Sequence, residues 1–209
     1  MADQKWLIVV DLESMGTTPG SIITEIGAEA FALTRIDDHA LGFHEVIDYG
    51  ASKKEGFQAN KLTMSWWASV LSLDPNTSKR DQEFHFRNKW RNTHSVTRSL
   101  RHFTEFYGLV CDVAGGAENV LLIGNDIDFD KSILEAYYKK MNHRIPWHYR
   151  SWLSLPTFVW LVEYLTGVDV KKKVRESWTT SHDALDDAKQ EVAMLKTGLD
   201  LITPLRYHT

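Results

Sequence analysis

The feature that most constrains the fold is an apolar run near the N-terminus that contains a single acidic residue. Residues 6–12 read Trp-Leu-Ile-Val-Val-Asp-Leu, and Gly16 and the pair Pro19-Gly20 follow. Such a run, rich in β-branched side chains, is typical of a central strand that is buried on both faces. A buried carboxylate at Asp11 is costly unless it binds a cation or hydrogen-bond donors. We therefore expect an acidic site at the end of a central strand.

The segments that follow predict an α/β domain whose sheet begins with an antiparallel meander. Two more strands are expected at residues 22–33 and 43–49, with residues 34–39 as the polar turn between them. Another short apolar strand, residues 120–123, is closed by Gly124-Asn125 and followed by a helix through residue 141. A strand, turn and helix in this order are typical of α/β proteins.

Helical spacing of apolar residues predicts the remaining elements. It is found at residues 62–73, with Thr63 as a possible N-cap, and at 95–113, 155–165 and 181–201. Residues 77–93 are polar, rich in arginine and without a clear period, so they are expected to form an irregular or mobile insertion. A substrate guide, a partner surface and a disordered loop are all open for this insertion.

Composition narrows the class of protein. The 209 residues, 43% hydrophobic and 25% charged, suit one globular domain over residues 1–209. The single cysteine, Cys111, cannot form an internal disulfide, and no secretion leader or run of about 18 apolar residues is evident. We therefore expect a reducing, cytoplasmic compartment and no role in membranes. The sequence does not indicate the oligomeric state.

The net charge of −4 argues against a protein that coats nucleic acid by bulk electrostatics. It does not exclude an enzyme that grips one chain end through metal ions. Local basic patches are each either a solvated face or a contact to a substrate backbone. They lie at residues 53–54, 79–80, 87–101 and 171–173.

Acidic residues recur at the ends of predicted strands and the starts of predicted helices. Asp11 and Glu13 are two apart and therefore project from the same face of the first strand. Asp130 follows the strand at 120–123, with Asp126 and Asp128 close before it. An acidic pair at a strand end is commonly only solvated, and acids at a helix start commonly cap free amides. Each group alone therefore has a structural explanation.

A third group, His182-Asp183-Ala184-Leu185-Asp186-Asp187-Ala188, opens the last predicted helix. Capping accounts for Asp183 but less well for Asp187, which lies deeper and is flanked by residues expected to face the core. A histidine beside an acid-rich helix start is well placed to take a proton from an attacking water.

Phosphodiester hydrolysis gives a reason to join the three groups. Two divalent ions held roughly 3.5–4 Å apart by carboxylates neutralise charge on the attacking water and on the leaving oxygen. Hard oxygen ligands favour Mg²⁺ or Mn²⁺, and no cluster of Cys and His with zinc spacing is present in the sequence.

The three motifs, in this order, resemble those of the DEDD-type 3′-to-5′ exonucleases of the histidine-containing branch, which have the ribonuclease H-like fold. The motifs are Val10-Asp11-Leu12-Glu13-Ser14, Phe129-Asp130 and the segment 182–188, in which the histidine and last acid are five apart. The span from Asp11 to Trp67 is most similar to the exonuclease A group of T-even phages and bacteria. The resemblance implies a central mixed sheet of five strands, the first three antiparallel, flanked by helices.

The resemblance also implies roles for individual residues. Two metal ions, Mg²⁺ or Mn²⁺, would be held by four acids, and His182 would deprotonate the attacking water. The four acids are Asp11, Glu13, Asp130 and Asp187. The second motif has one extra residue before Phe129, relative to the commoner family spacing. Asp126 and Asp128 are therefore alternatives to Asp130. The apolar residues that flank Asp130 favour Asp130.

The substrate implied by the resemblance is a single-stranded 3′ end, preferably of DNA, from which nucleoside monophosphates are released. Residues Ser14, Met15 and Gly16 would lie near the terminal nucleotide. Trp66 and Trp67 are either core residues or a stacking surface for the substrate. An exoribonuclease with the same site and a non-catalytic nucleic-acid-binding module are the alternatives.

Overall fold

The computed structural model describes residues 5–33, 40–92, 94–175 and 182–203. The predicted turn at residues 34–39 and the predicted helix start at Ser181 lie outside these described ranges.

The core of the fold is one mixed sheet with the expected antiparallel start. Its strands are β1 (Trp6–Ser14), β2 (Ile23–Ala32), β3 (Leu41–Val46), β4 (Val120–Gly124) and β5 (Trp152–Ser154). The spatial order is β3-β2-β1-β4-β5, in which β1 pairs antiparallel with β2 and parallel with β4. The predicted five-stranded mixed sheet is therefore confirmed. Its strand β5, only three residues long, was too short for the sequence pattern to reveal.

Eight α-helices flank the sheet within the described part of the chain. They are α1 (Tyr49–Lys54), α2 (Lys61–Val70), α3 (Lys79–Lys89), α4 (Val96–Ala114), α5 (Asp130–Lys140), α6 (Leu155–Thr166), α7 (Val170–Arg175) and α8 (Ala184–Ile202). The helix expected at residues 95–113 is α4, which begins after its cap Ser95 and ends at Gly115 in the left-handed conformation.

Alternation along β1 assigns its side chains to two layers. Ile8, Val10 and Leu12 pack in a core cluster with residues of α4 and α5, whereas Leu7 and Val9 pack with α6 and α8. Odd-numbered positions of this strand share a face. Asp11 and Glu13 consequently lie on the face that α8 covers.

Three expectations about local structure were wrong. Residues 77–93 are not an irregular insertion, because they contain α3, whose Phe86 is fully buried beside the buried Trp90. These two aromatic residues are four apart, and tertiary packing of this narrow stripe stabilises a helix that is otherwise polar. Helix α2 is capped by Asn60 rather than Thr63, since the Asn60 side chain accepts from the backbone amides of Leu62 and Thr63.

The third strand ends at Val46, and Tyr49, expected as its last residue, instead begins α1. The Asp48 side chain caps this helix by accepting from the amide of Ala51. The aspartate therefore stops the strand by offering the backbone a helix start. Among the described helices, none combines the length and the apolar character that crossing a membrane requires.

Candidate active site

The predicted acids converge where β1 ends. Asp11 and Glu13 project from β1, Asp130 opens α5 and Asp187 lies in the first turn of α8. Oxygen and nitrogen atoms of Glu13, His182 and Asp187 lie within 4.8 Å of one another. Asp11 interacts electrostatically with Glu13, Asp130 and Asp187. The fold thus brings together all five residues that the sequence singled out.

Burial distinguishes Asp130 from the two acids that precede it, Asp126 and Asp128. Asp130 is buried, with 2% of its surface exposed, whereas Asp126 and Asp128 are exposed. Asp126 serves as a cap, because its carboxylate accepts from the backbone amides of Asp128 and Phe129. The Asp130 carboxylate accepts in turn from the amide of Asp126, at 3.2 Å. Only Asp130 among the three therefore reaches the buried cluster of acids.

Burial and mutual repulsion disfavour the charged form of these acids. Loss of hydration raises the pKa of Asp11 well above its ordinary value, and neighbouring carboxylates raise it further. Burial and then the Asp187 charge raise the pKa of Glu13 to about 8. Burial raises the pKa of Asp130 to about 7 against backbone hydrogen bonds that lower it. Divalent cations bound among these carboxylates would relieve the repulsion.

Unpartnered atoms point to the same conclusion. Asp187 Oδ1 and Glu191 Oε2 are both buried and have no hydrogen-bond partner among the described residues. Buried polar atoms are usually paired, so two orphan carboxylate oxygens require an explanation. Hard divalent cations satisfy such oxygens, and the donor set of carboxylates fits Mg²⁺ or Mn²⁺. The residues present therefore fit the metals that the fold implies.

Helix α8 is positioned by a close contact with β2. Gly27 pairs with Asp11 across the sheet, and a methyl group at Gly27 would lie 2.0 Å from the backbone of Ala184. Only glycine permits this approach. Asp183 caps the helix by accepting from the amides of Leu185 and Asp186, as its position in the sequence allows. The contact sets the position of Asp187 relative to Asp11.

His182 stands immediately before this helix in a backbone conformation that few residues adopt. Its φ is 50°, in the left-handed region, where histidine is found more often than most residues. Its ring packs edge-on against Trp66 and Trp67, with centroid distances of 5.0 and 6.0 Å. The two tryptophans thus hold the imidazole beside Glu13 and Asp187.

The two tryptophans of α2 have different environments. Trp67 is buried, its indole N–H donates to the carbonyl of Ser14 at 2.9 Å, and its ring packs against Trp90. Trp66 is 46% exposed and lines a cavity of about 410 Å³ together with Glu13 and Phe129. Trp67 therefore supports the end of β1, and Trp66 faces the cavity.

The three residues expected near the terminal nucleotide are all buried, but they differ in whether they line this cavity. Ser14 and Gly16 line the same cavity as Trp66. The Met15 side chain is fully buried in the core, and its backbone bonds to Ile22 and Asn60. Ser14 and Gly16 therefore form part of the cavity wall, where the Ser14 hydroxyl donates to the Gly16 carbonyl, whereas the Met15 side chain belongs to the core.

A second cavity, of about 260 Å³, also borders the acids. It is lined by Asp11, His182 and Asp187, by Glu191, and by two cations of α7, Lys171 and Arg175. Lys171 belongs to a basic patch that the sequence showed, but the helix that carries it was not expected. The pattern of helix α7 in the sequence is weak, because only Val170 and Val174, four apart, are apolar and buried.

Two acids of this region escaped the sequence reasoning. Glu25 lies in β2, opposite Glu13, and accepts from the indole N–H of Trp90 at 2.7 Å and bonds to the His44 ring at 3.1 Å. Glu191 lies one turn beyond Asp187 on α8 and is 4% exposed. Glu25 lies in an apolar strand, the same signal that drew attention to Asp11. Glu191 follows Lys189 and Gln190, and only the helix positions at Ala188 and Val192 give it apolar neighbours.

Comparisons with known structures agree with this fold. The structure of cell-death related nuclease 4 (CRN-4) is similar with a TM-score of 0.63 at 10% identity, over 95% of this chain and 65% of that one. The nuclease domain of 3′hExo, a DEDDh family member bound to rAMP, gives 0.61 at 12% identity, over 95% and 92%. A 3′-exonuclease that recognises a histone mRNA stem-loop gives 0.57 at 11%, over 94% and 64%.

The chain thus spans slightly less than two thirds of the length of the CRN-4 chain. No curated protein sequence is significantly similar to the chain. Residues 7–199 match the family described as the 3′-5′ exoribonuclease Rv2179c-like domain, and this range includes all the residues of the site. The chain therefore belongs to the family of Rv2179c-like 3′-5′ exoribonuclease domains, which confirms the expectation of a 3′-5′ exonuclease, an enzyme that hydrolyses phosphodiester bonds.

Proposed function

We propose that the chain removes nucleoside monophosphates one at a time from the 3′ end of single-stranded RNA, with two Mg²⁺ or Mn²⁺ ions. The observation that carries this proposal is the convergence of Asp11, Glu13, Asp130 and Asp187 beside His182, between two cavities. A binding module has no need for a buried cluster of mutually repelling acids, because an unpaired buried charge only destabilises the fold.

The four acids hold the two metal ions in this proposal. When bound, the metals neutralise charge that develops on the attacking and leaving oxygens of the phosphodiester. Asp130 is fixed by the amide of Asp126, and Asp187 by the docking of α8 on β2. Ligands held by backbone elements rather than by loops lose little entropy when a cation binds.

His182 acts as the general base. An imidazole side chain can take a proton from water near neutral pH, which is what a general base does. Asp187 lies within reach of the ring and stabilises the imidazolium that forms, since an opposite charge nearby favours the protonated ring. Trp66 and Trp67 limit the rotation of the ring by edge-on packing.

The substrate lies across the end of β1. The cavity lined by Trp66, Ser14 and Gly16 receives the terminal nucleotide, and the exposed indole offers a surface for base stacking. Lys171 and Arg175, on the wall of the other cavity, contact phosphates, which require neither a defined base nor a defined sugar.

RNA rather than DNA is proposed because the family is described by its exoribonuclease activity and a similar structure holds rAMP. The preference for DNA suggested by the sequence rests on the resemblance to exonuclease A of phages, which none of the comparisons supports. DNA therefore stays a prediction, as the alternative substrate to RNA. The two sugars differ at the 2′-hydroxyl, so contacts to that group decide between them.

Digestion of matched oligonucleotides tests the proposal. An RNA and a DNA of the same sequence, labelled at the 5′ end, are incubated with Mg²⁺, Mn²⁺ or chelator, with an Asp11→Ala variant as control. The expected result is a metal-dependent ladder that shortens RNA from the 3′ end and is absent with the variant. Faster digestion of DNA would restore the earlier preference, and no product from either strand would favour the binding module.

A His182→Ala variant separates the base from the metal ligands. Loss of a general base costs about 10²- to 10⁴-fold in rate. The variant should therefore turn over slowly at saturating substrate while its Mn²⁺ affinity stays close to that of the wild type. A variant that digests RNA at the wild-type rate would show that His182 is not the base.

A further inference from the structure

Glu191 is a buried acid without a role in the site as described so far. It lies on α8 one turn after Asp187, so the two side chains share a face of the helix. It is 4% exposed, and its Oε2 has no hydrogen-bond partner among the described residues. Neighbouring positions on the same face, Ala188 and Val192, are buried apolar residues that pack against the sheet. An apolar residue would therefore suit this position better if packing were its only requirement.

The surroundings of Glu191 are those of the metal site. It lines the cavity of about 260 Å³ with Asp11 and Asp187. Its carboxylate lies close enough to those of Asp11, Asp130 and Asp187 for the charged groups to repel one another. A carboxylate that repels three others in a buried site destabilises the protein unless a cation is shared among them.

We propose that Glu191 is a fifth carboxylate of the metal centre and contributes to the binding of the divalent cations. This inference rests on the proposed function and extends its set of ligands. Five ionised carboxylates carry one negative charge more than two divalent cations neutralise. Lys171 lies on the wall of the same cavity and is placed to supply the compensating positive charge.

The arrangement predicts opposite effects of Glu191 on the metal-free and metal-bound proteins. In chelator, Glu191→Gln removes a repelling charge at constant shape and should leave the unfolding temperature unchanged or raise it. With saturating Mn²⁺, the stabilisation by the metal should be smaller than in the wild type, because stabilisation by a ligand follows its affinity for the folded state. A structural carboxylate would lower the unfolding temperature in both conditions.

Mn²⁺ binding, measured without nucleic acid, tests the inference. Metal-stripped protein is titrated while free Mn²⁺ is followed by electron paramagnetic resonance. Glu191→Gln should weaken binding by about 10- to 100-fold, as the loss of a supporting group around a metal does. Asp200→Asn is the matched control, since it removes one charge from an exposed position of the same helix. Glu191→Leu provides a second variant that fills the buried position.

The outcomes separate this inference from the proposed function. If Glu191→Gln binds Mn²⁺ as tightly as the wild type while Asp187→Asn does not, Glu191 has no part in the metal centre, although the proposed function stands. If the wild type neither binds Mn²⁺ nor digests RNA, the proposed function fails and this inference fails with it. Weaker binding by Glu191→Gln and Glu191→Leu, with Asp200→Asn unchanged, would establish the fifth carboxylate.

Discussion

Replacing Gly27 with alanine tests whether the docking of α8 on the sheet sets the geometry of the site. The added methyl group would lie 2.0 Å from the carbonyl carbon and oxygen of Ala184 and 2.3 Å from the nitrogen of Leu185. An ordinary contact needs at least 3.4 Å, so the two backbones must separate by about 1.4 Å. These neighbours are backbone atoms and cannot rotate away, so the whole start of α8 must move.

That movement carries Asp187 away from Asp11, which lies opposite Gly27 on β1. A displacement of about 1 Å at a reacting centre costs roughly 10²-fold in rate. Overpacking itself costs about 1–3 kcal/mol. For a chain of this length, this lowers the unfolding temperature by roughly 2–12 °C.

The assay compares initial rates of RNA digestion at saturating Mn²⁺ with unfolding temperatures followed by circular dichroism. Gly42→Ala is the matched control, because a methyl group there meets only the side chain of Leu185, at 3.8 Å. Gly42→Ala should keep the rate and stability of the wild type. If Gly27→Ala also kept both, the contact between β2 and α8 would not determine the site.

Three other predictions follow from individual contacts. Trp66→Ala should weaken binding of a single-stranded oligonucleotide by about 1–3 kcal/mol, because it removes an exposed stacking surface, and fluorescence anisotropy with the inactive Asp11→Ala protein would measure the change. Phe86→Ala should destabilise the fold by about 3–5 kcal/mol in urea unfolding, and a loss below 1 kcal/mol would contradict the packing of α3. The hydrogen bond to Glu25 raises the pKa of His44 above 6.5, so this pair should stabilise the fold fully below pH 6.5 and lose its contribution as the pH rises through the raised pKa. His44→Gln should flatten that part of the stability profile, and an unchanged profile would show that the pair does not contribute.

Much of the site could be predicted from the sequence because its chemistry is local to short motifs. The alternation of β1 is enough to place Asp11 and Glu13 on one face, and the order of the three motifs indicates the exonuclease family. Spacing alone left Asp126, Asp128 and Asp130 as alternatives. Burial, which depends on the packing of α5 against β1, distinguished them.

The sequence could not reveal α3, because its charged residues hide the pair Phe86 and Trp90. Only the folded chain shows that Trp90 donates to Glu25, 65 residues away, so the segment expected to be an insertion supports the site. Nor could periodicity distinguish Trp66 from Trp67, since both belong to one helix and only the neighbours of that helix decide which is buried.

The sequence by itself thus indicated the antiparallel start of the sheet and the three short motifs that carry the predicted acids and histidine. These depend on residue type and spacing over a few positions. The tertiary structure decided which acids share one cluster, and it added Glu191, which the sequence places on an apolar helix face without a partner. The physical reason is that burial and repulsion between charges depend on distances across the fold, and these are set by packing between elements far apart in the chain.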